Sequence, residues 1–179
     1  RSLAPHLTMK KIIAFGGSTS QSSINKQLAT YAAHLFSNAD VEVLDLNDYP
    51  LPLFSVDLEK EGIPQAAHDF YAKIGSADVL VVSLAEHNGA YSAAFKNLLD
   101  WTSRIQSKNF QNKPMLLMAT SPGARGGASV LELAQKRFPY QGAEIVSTFT
   151  LPNFYDHLID GVLSDSYHAE LVECVAKFT

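Results

Sequence analysis

Five apolar runs of strand length, each followed by a stretch of helical periodicity, constrain this chain more than anything else in it. The runs occupy residues 12–15, 41–46, 79–84, 115–119 and 145–149. Their nearly unbroken hydrophobicity suits parallel strands covered on both faces, because a strand with one wet face would alternate. Between them, Ile24, Leu28, Tyr31, Ala32 and Leu35 mark one helical stripe. Ala67, Phe70, Tyr71 and Ile74 mark a second, with Pro64 where a first helical turn accepts it. Phe95, Leu98, Leu99 and Thr102 mark a third, and Val130, Ala134 and Phe138 a fourth. Leu171, Val175 and Phe178 mark the last, with Ser164 placed to cap it. Strand and helix in alternation, joined by right-handed crossovers, predict an α/β fold: a doubly wound parallel sheet with helices on both faces.

A chain of 179 residues is long enough for one such domain and short for two. The balance of 46% hydrophobic and 18% charged residues is that of a globular protein, and a net charge of -4 argues against nucleic acid as a partner. No apolar run approaches the roughly 20 residues that cross a bilayer, so no membrane partner is expected. Residues 1–8 lack the charged and apolar regions of a signal peptide and read as a remnant before a start at Met9, leaving 9–179 as the domain. Cys174 stands alone, which excludes an internal disulfide and fits a reducing, cytoplasmic setting.

In a doubly wound sheet, ligands lie beyond the carboxyl ends of the strands. Three segments there are unusual. After the first run come two glycines and a hydroxyl-rich stretch, Ser18, Thr19, Ser20, Gln21, Ser22 and Ser23, leading into a helix at Ile24 and Asn25. Strand ends that restart as helices leave N–H groups aimed at one spot, a cradle for phosphate, although serines there also serve as plain helix caps. Neither a Gly-Lys-Ser/Thr phosphate loop nor a G-x-G-x-x-G fingerprint is present. After the third run come Glu86, His87, Asn88 and Gly89, suited to reading the edge of a flat heterocycle or to simple loop packing. No other His or Cys stands at metal-ligand spacing from His87, so no metal is expected. Lys96 and Asp100, four residues apart, read as a surface pair. Trp101 reads as core or interface. After the fourth run come Ser121, Pro122, Gly123, Arg125, Gly126 and Gly127, glycines that admit a ligand or make a tight turn. Arg125 is placed either to meet a cofactor phosphate or to serve as surface charge. A long connection, 47–62, carries two prolines and apolar Leu51, Leu53 and Phe54, of which Leu53 and Phe54 suit either their own core or a subunit contact.

These three segments resemble the NADPH-dependent FMN reductase family, the flavodoxin-like group that includes quinone, chromate and azo reductases. The family's Gly-Ser-x-Arg-x-x-Ser-x-Asn loop is matched by Gly17, Ser18, Ser23 and Asn25, with Ser20 in place of the arginine. Its Pro-Glu-Tyr-Asn element is matched at Glu86 and Asn88, with His87 in place of the tyrosine. Lys96, Asn97, Asp100 and Trp101 follow as in the family, and the Ser-x-Gly-x-x-Gly-Gly element is intact over 121–127. The resemblance runs from Met9 onward. It implies a three-layer flavodoxin-like sandwich with strand order 2-1-3-4-5.

It also implies an FMN cofactor with NAD(P)H as co-substrate, and ping-pong hydride transfer through the flavin to a quinone, free flavin or another small electron acceptor. Ser18, Ser20, Ser23, Ile24 and Asn25 then hold the phosphate. Glu86, His87, Asn88 and Gly89 address the ring, and Ser121, Pro122, Gly123, Gly126 and Gly127 line its far side. No side chain acts as nucleophile or obligatory acid, because the flavin carries the chemistry. Losing the arginine removes a charge-assisted contact worth about 1.5–3 kcal/mol. A homodimer or homotetramer is the family habit. Two other readings share the fold: a flavodoxin-like electron carrier, and a regulatory or binding domain that has lost tight flavin binding.

Overall fold

The computed structural model describes residues 8–178, so the expected remnant lies, Thr8 excepted, outside the described residues. Five strands form one parallel sheet: β1 (Lys10–Gly16), β2 (Ala39–Leu44), β3 (Val79–Leu84), β4 (Lys113–Thr120) and β5 (Ala143–Leu151). Their order is β2-β1-β3-β4-β5, as expected. The three inner strands are buried along nearly their whole length. The outer two are not: β2 is buried only at Leu44, and β5 mixes buried with half-exposed positions, because an edge strand has one neighbour and partial cover.

Residues of period two divide the core. Ile13, Phe15, Leu80 and Val82 face one side, against α2 (Gln65–Ser76), α3 (Ala93–Ser103) and α4 (Ala128–Arg137). Ile12, Ala14, Val79 and Val81 face the other, against α1 (Ile24–Ala33) and α5 (Asp165–Ala176). That alternation is what a pleated strand buried on both faces requires. No helix among the described residues is long and apolar enough to cross a membrane.

Several local expectations shift. The second run ends at Leu44, not Leu46: the Asp45 carboxylate accepts from the Asn47 amide at 2.9 Å and winds Leu46–Asp48 into a 3-10 turn. Pro64 is the N-cap of α2, one place before the first turn. Ser164 is the N-cap of α5, yet its hydroxyl turns away from the helix to His157, pairing with Nδ1 at 3.0 Å. The 47–62 connection treats Leu53 and Phe54 differently. Phe54 packs edge-on against Trp101, and the Trp101 indole N–H donates to the Pro52 carbonyl at 2.7 Å. Asn97 holds the same stretch, accepting from the Phe54 amide and donating to Pro52. Leu53, between them, is left 82% exposed.

Candidate functional site

Gly16 ends β1 directly against the start of α1. A Cβ there would lie 2.4 Å from the Lys26 amide nitrogen, so only glycine allows the approach. The chain is then pinned by the Gly17 amide on the Ser83 carbonyl at 2.8 Å, and by the Ser92 hydroxyl on the Gly17 carbonyl at 2.7 Å. The loop closes on itself: the Ser20 amide donates to the Ser18 hydroxyl, and the Ser23 amide to the Ser20 carbonyl. Ser23 caps α1 by accepting from the Lys26 amide at 3.1 Å. Among the described residues, the amides of Ser18, Thr19, Gln21, Ser22, Ile24 and Asn25 donate to no atom of the protein. Free N–H groups packed into one loop at a helix start form an anion site without any cation.

Asn25 has a different task from the one expected. Its carboxamide is buried. It accepts from the Ser83 hydroxyl at 2.7 Å and the Thr120 amide at 3.1 Å, and donates to the Thr120 carbonyl at 3.2 Å. The side chain therefore ties α1 to the carboxyl ends of β3 and β4, and only its backbone N–H remains for a ligand.

Beyond β3 the chain forms a small hairpin, Glu86–His87 pairing with Ala90–Tyr91. Its turn is Asn88-Gly89, both with positive φ, the arrangement of the tight primed hairpin turns that suit Asn-Gly. The hairpin aims Glu86 at the next helix: its Oε1 accepts from the Val130 amide, in the first turn of α4, at 2.7 Å. Tyr91 anchors the hairpin by stacking on Phe138. Its hydroxyl is buried with no partner among the described residues, and burial pushes its pKa up to about 12.

The loop after β4 is fastened from the far side. The Asn153 amide donates to the Gly123 carbonyl at 2.9 Å and the Phe154 amide to the Ser121 carbonyl at 3.1 Å. Gly126 and Gly127 are buried joints with positive φ. A Cβ on Gly126 would meet the Pro152 nitrogen at 2.8 Å, and one on Gly127 the Ala119 Cβ at 2.8 Å.

These three loops close on one crevice of about 230 Å³. Ser18, Ser20, Ser23, Ile24 and Asn25 line it, with Glu86, His87, Ser121 and Pro122 on the opposite walls. Asn88, Gly89, Gly123, Gly126 and Gly127 do not line it: the first pair form the exposed hairpin tip, and the last pair serve packing. Sequence reasoning missed Ser22, Ala85, Thr120 and Tyr155, which do. Tyr155 stands on a short helical turn, Phe154–His157, after β5. The rule that ligands gather at strand carboxyl ends points to that loop as well. The hairpin was also missed, although Asn-Gly after an apolar run signals one. Lys96 pairs with Asp100 at 2.7 Å, as expected of a surface pair, and Arg125 points outward to the Ser129 hydroxyl. Among the described residues, no Lys or Arg lines the crevice.

The profile of the NADPH-dependent FMN reductase family matches residues 10–156. An NADPH:quinone oxidoreductase of Arabidopsis thaliana is 33% identical over 130 residues, which cover 70% of this chain and 65% of that protein. An NAD(P)H-dependent FMN reductase of Pseudomonas aeruginosa is 29% identical over 119 residues, 66% of this chain and 63% of its own. The chain thus spans just under two thirds of the length of these relatives. In fold it is similar to the FerB flavoenzyme NAD(P)H:(acceptor) oxidoreductase of Paracoccus denitrificans. That structure superposes with a TM-score of 0.73 at 23% identity, over 95% of both chains.

Proposed function

The chain belongs to the NADPH-dependent FMN reductase family, and on that premise we propose that it is an FMN-dependent NAD(P)H oxidoreductase that reduces quinones or free flavin. The observation that carries this reading is the first loop. Its uncommitted amides converge at the start of α1, beside the hydroxyls of Ser18 and Ser20, in a crevice walled by the Glu86–His87 hairpin and by Ser121 and Pro122. That donor set fits a phosphate ester.

When bound, FMN supplies two-electron redox chemistry, taking hydride from NAD(P)H and passing reducing equivalents to the acceptor. The protein's part is to bind and orient. The loop amides hold the phosphate with partial charges, where the family's arginine would add a full one. Asn25 keeps the phosphate loop in register with the carboxyl ends of β3 and β4, which carry the two walls. Glu86 lines the crevice too, but its carboxylate is turned onto the α4 amide, where the helix dipole offsets its charge. A volume of about 230 Å³ lies below the roughly 300 Å³ at which ligand clefts usually begin. Ser121, Pro122 and the Glu86–His87 hairpin would border a flavin in a crevice of that size without enclosing it, leaving it open to donor and acceptor.

Leu53, held out by an anchored loop, supports a homodimer or homotetramer. The lone Cys174 and the use of a reduced nicotinamide support a cytoplasmic setting. The test is to add FMN to the purified protein and follow NADPH and NADH oxidation with a quinone. FMN-dependent turnover is expected. Bound flavin with no NAD(P)H oxidation would instead show a carrier, and no change in flavin fluorescence at tens of micromolar FMN would show a domain that has lost the cofactor.

A further inference from the structure

The walls of the crevice beyond the serine loop offer few hydrogen-bond donors. Ala85 has no polar side-chain atom, and Pro122 has neither that nor an amide hydrogen. The Thr120 hydroxyl donates to the Leu151 carbonyl at 2.6 Å, and the Ser121 hydroxyl to the Gly123 carbonyl at 3.4 Å. Glu86 is an acceptor already taken by the Val130 amide. Two side chains of these walls keep a donor with no partner among the described residues: His87, on the hairpin, and Tyr155, on the turn after β5.

Tyr155 stands on an over-determined piece of backbone. Asn153, just before the turn, takes the left-handed conformation with φ 50°, which asparagine tolerates better than most residues do. Its amide is held by the Gly123 carbonyl and that of Phe154 by the Ser121 carbonyl, so the turn is fastened to the loop after β4. The Asp156 amide closes the turn on the Asn153 carbonyl at 2.9 Å. Phe154 is buried and meets the Tyr155 ring almost perpendicularly at 5.3 Å, which braces it. Yet Tyr155 itself stays 66% exposed. A ring left that far in water gains little from burial, so the rigid mount does not serve the core. It keeps a phenol in the same crevice as the serine hydroxyls.

We propose that the Tyr155 hydroxyl donates to the phosphate of the bound flavin and sets a preference for the phosphorylated flavin over riboflavin. The proposal rests on the flavin reading above. The three terminal oxygens of a phosphate accept from more than one side, and the loop amides supply only one. A hydroxyl donating to an ionised oxygen makes a stronger bond than one between neutral groups, which suits a crevice lined by no Lys or Arg among the described residues.

Fluorescence titrations with FMN and with riboflavin, which lacks only the phosphate, test it without any turnover. The parent is expected to favour FMN. Tyr155→Phe is expected to lose about tenfold in FMN affinity while riboflavin binds as before. Tyr155→Ala is expected to lose the same factor, any further loss being common to both flavins because it reports the ring. The position is exposed, and circular dichroism with thermal melting checks that both variants fold. Unchanged FMN affinity in Tyr155→Phe overturns the proposal and leaves the flavin reading standing. So does an equal loss for both flavins, which would put the hydroxyl against the ribityl chain or the ring. A preference that survives Tyr155→Phe and falls in His87→Ala overturns it too, and gives the phosphate to His87. A parent that binds FMN no better than riboflavin overturns the phosphate contact alone, whereas failure of both flavins to bind the parent overturns the flavin reading and this one with it.

Discussion

Two helices of this molecule start in the same way and end up with opposite needs. Both α1 and α4 follow a serine- and glycine-containing loop at the carboxyl end of an inner strand, on opposite faces of the sheet. At α4 the N-cap is Gly127, which has no side chain to offer, and the third helical amide, Val130, takes the Glu86 carboxylate at 2.7 Å. That helix start already has its anion. At α1 the cap is the neutral hydroxyl of Ser23, and the amides of Ile24 and Asn25 remain free. Because a helix N-terminus carries a partial positive charge, the first start resists a second anion and the other invites one. This is why, on the proposed reading, the serine loop suits a phosphate and the glycine-rich 121–127 loop does not.

Asn25→Ala breaks the comparison outright, because the Asn25 side chain joins the two junctions. It would leave the Ser83 hydroxyl and both backbone groups of Thr120 without their partner in a buried setting. The loss is expected to be about 3 kcal/mol or more, and flavin binding should fall with it. Urea unfolding measures the first and fluorescence titration the second. A variant within about 1 kcal/mol of the parent would mean the junctions are independent.

Glu86→Ala removes the built-in anion of α4 and is expected to cost about 1–2 kcal/mol, as loss of a helix cap does. Glu86→Gln keeps an acceptor for Val130 and loses only the charge, so about half that cost is expected. The sharper readout is ionic. Sulfate should raise the melting temperature of Glu86→Ala more than that of the parent, because its α4 start is now open to an anion. Equal shifts would deny that the carboxylate occupies an anion site.

The five strands and five long helices were legible because burial on both faces writes a continuous apolar run, and a half-buried helix writes a 3.6-residue stripe. The turn from β1 into α1 was legible for a related reason: Gly16 and Ser23 are dictated locally, by a close backbone approach and by a cap. The side-chain role of Asn25 was not legible, because an asparagine at a helix start looks like a donor to solvent. Only the tertiary fold shows Ser83 and Thr120 waiting for it. Glu86 was read as a contact to the ring for the same reason, since Val130 is 44 residues away. Tyr155 carries no local signal at all. Which loop after β5 turns over the crevice depends on the carbonyls of Ser121 and Gly123, which receive the Phe154 and Asn153 amides.

Ser20→Arg tests whether α1 holds its anion by partial charges alone. Ser20 lines the crevice and is exposed, so an arginine there has room to reach a phosphate. A gain of about tenfold in FMN affinity is expected, at the low end of a charge-assisted contact because water screens it. Folding stability should hardly change. If affinity does not improve, the phosphate is not beside Ser20.

The smallest effect concerns how Glu86 is aimed. Tyr91 is its cross-strand partner in the hairpin, and its ring packs on Phe138 and Phe95 while its hydroxyl is buried with no partner among the described residues. Packing alone should therefore hold the hairpin, and Tyr91→Phe is expected to raise stability by about 0.5–1 kcal/mol at neutral pH by removing an unsatisfied polar atom. The pH dependence has a definite sign. Burial, outweighing the opposing charge of Arg137, lifts the Tyr91 pKa from its ordinary 10.0 to about 12. Below pH 10 the tyrosine is neutral in both folded and unfolded chains and contributes no pH dependence. Between pH 10 and 12 the unfolded chain gives up the proton and the folded one keeps it, so folding stability falls as pH rises. The phenylalanine variant lacks that loss, and its advantage over the parent should widen across the same interval in urea titrations. A variant less stable than the parent at neutral pH would mean the hydroxyl has a partner that helps to aim Glu86 at α4.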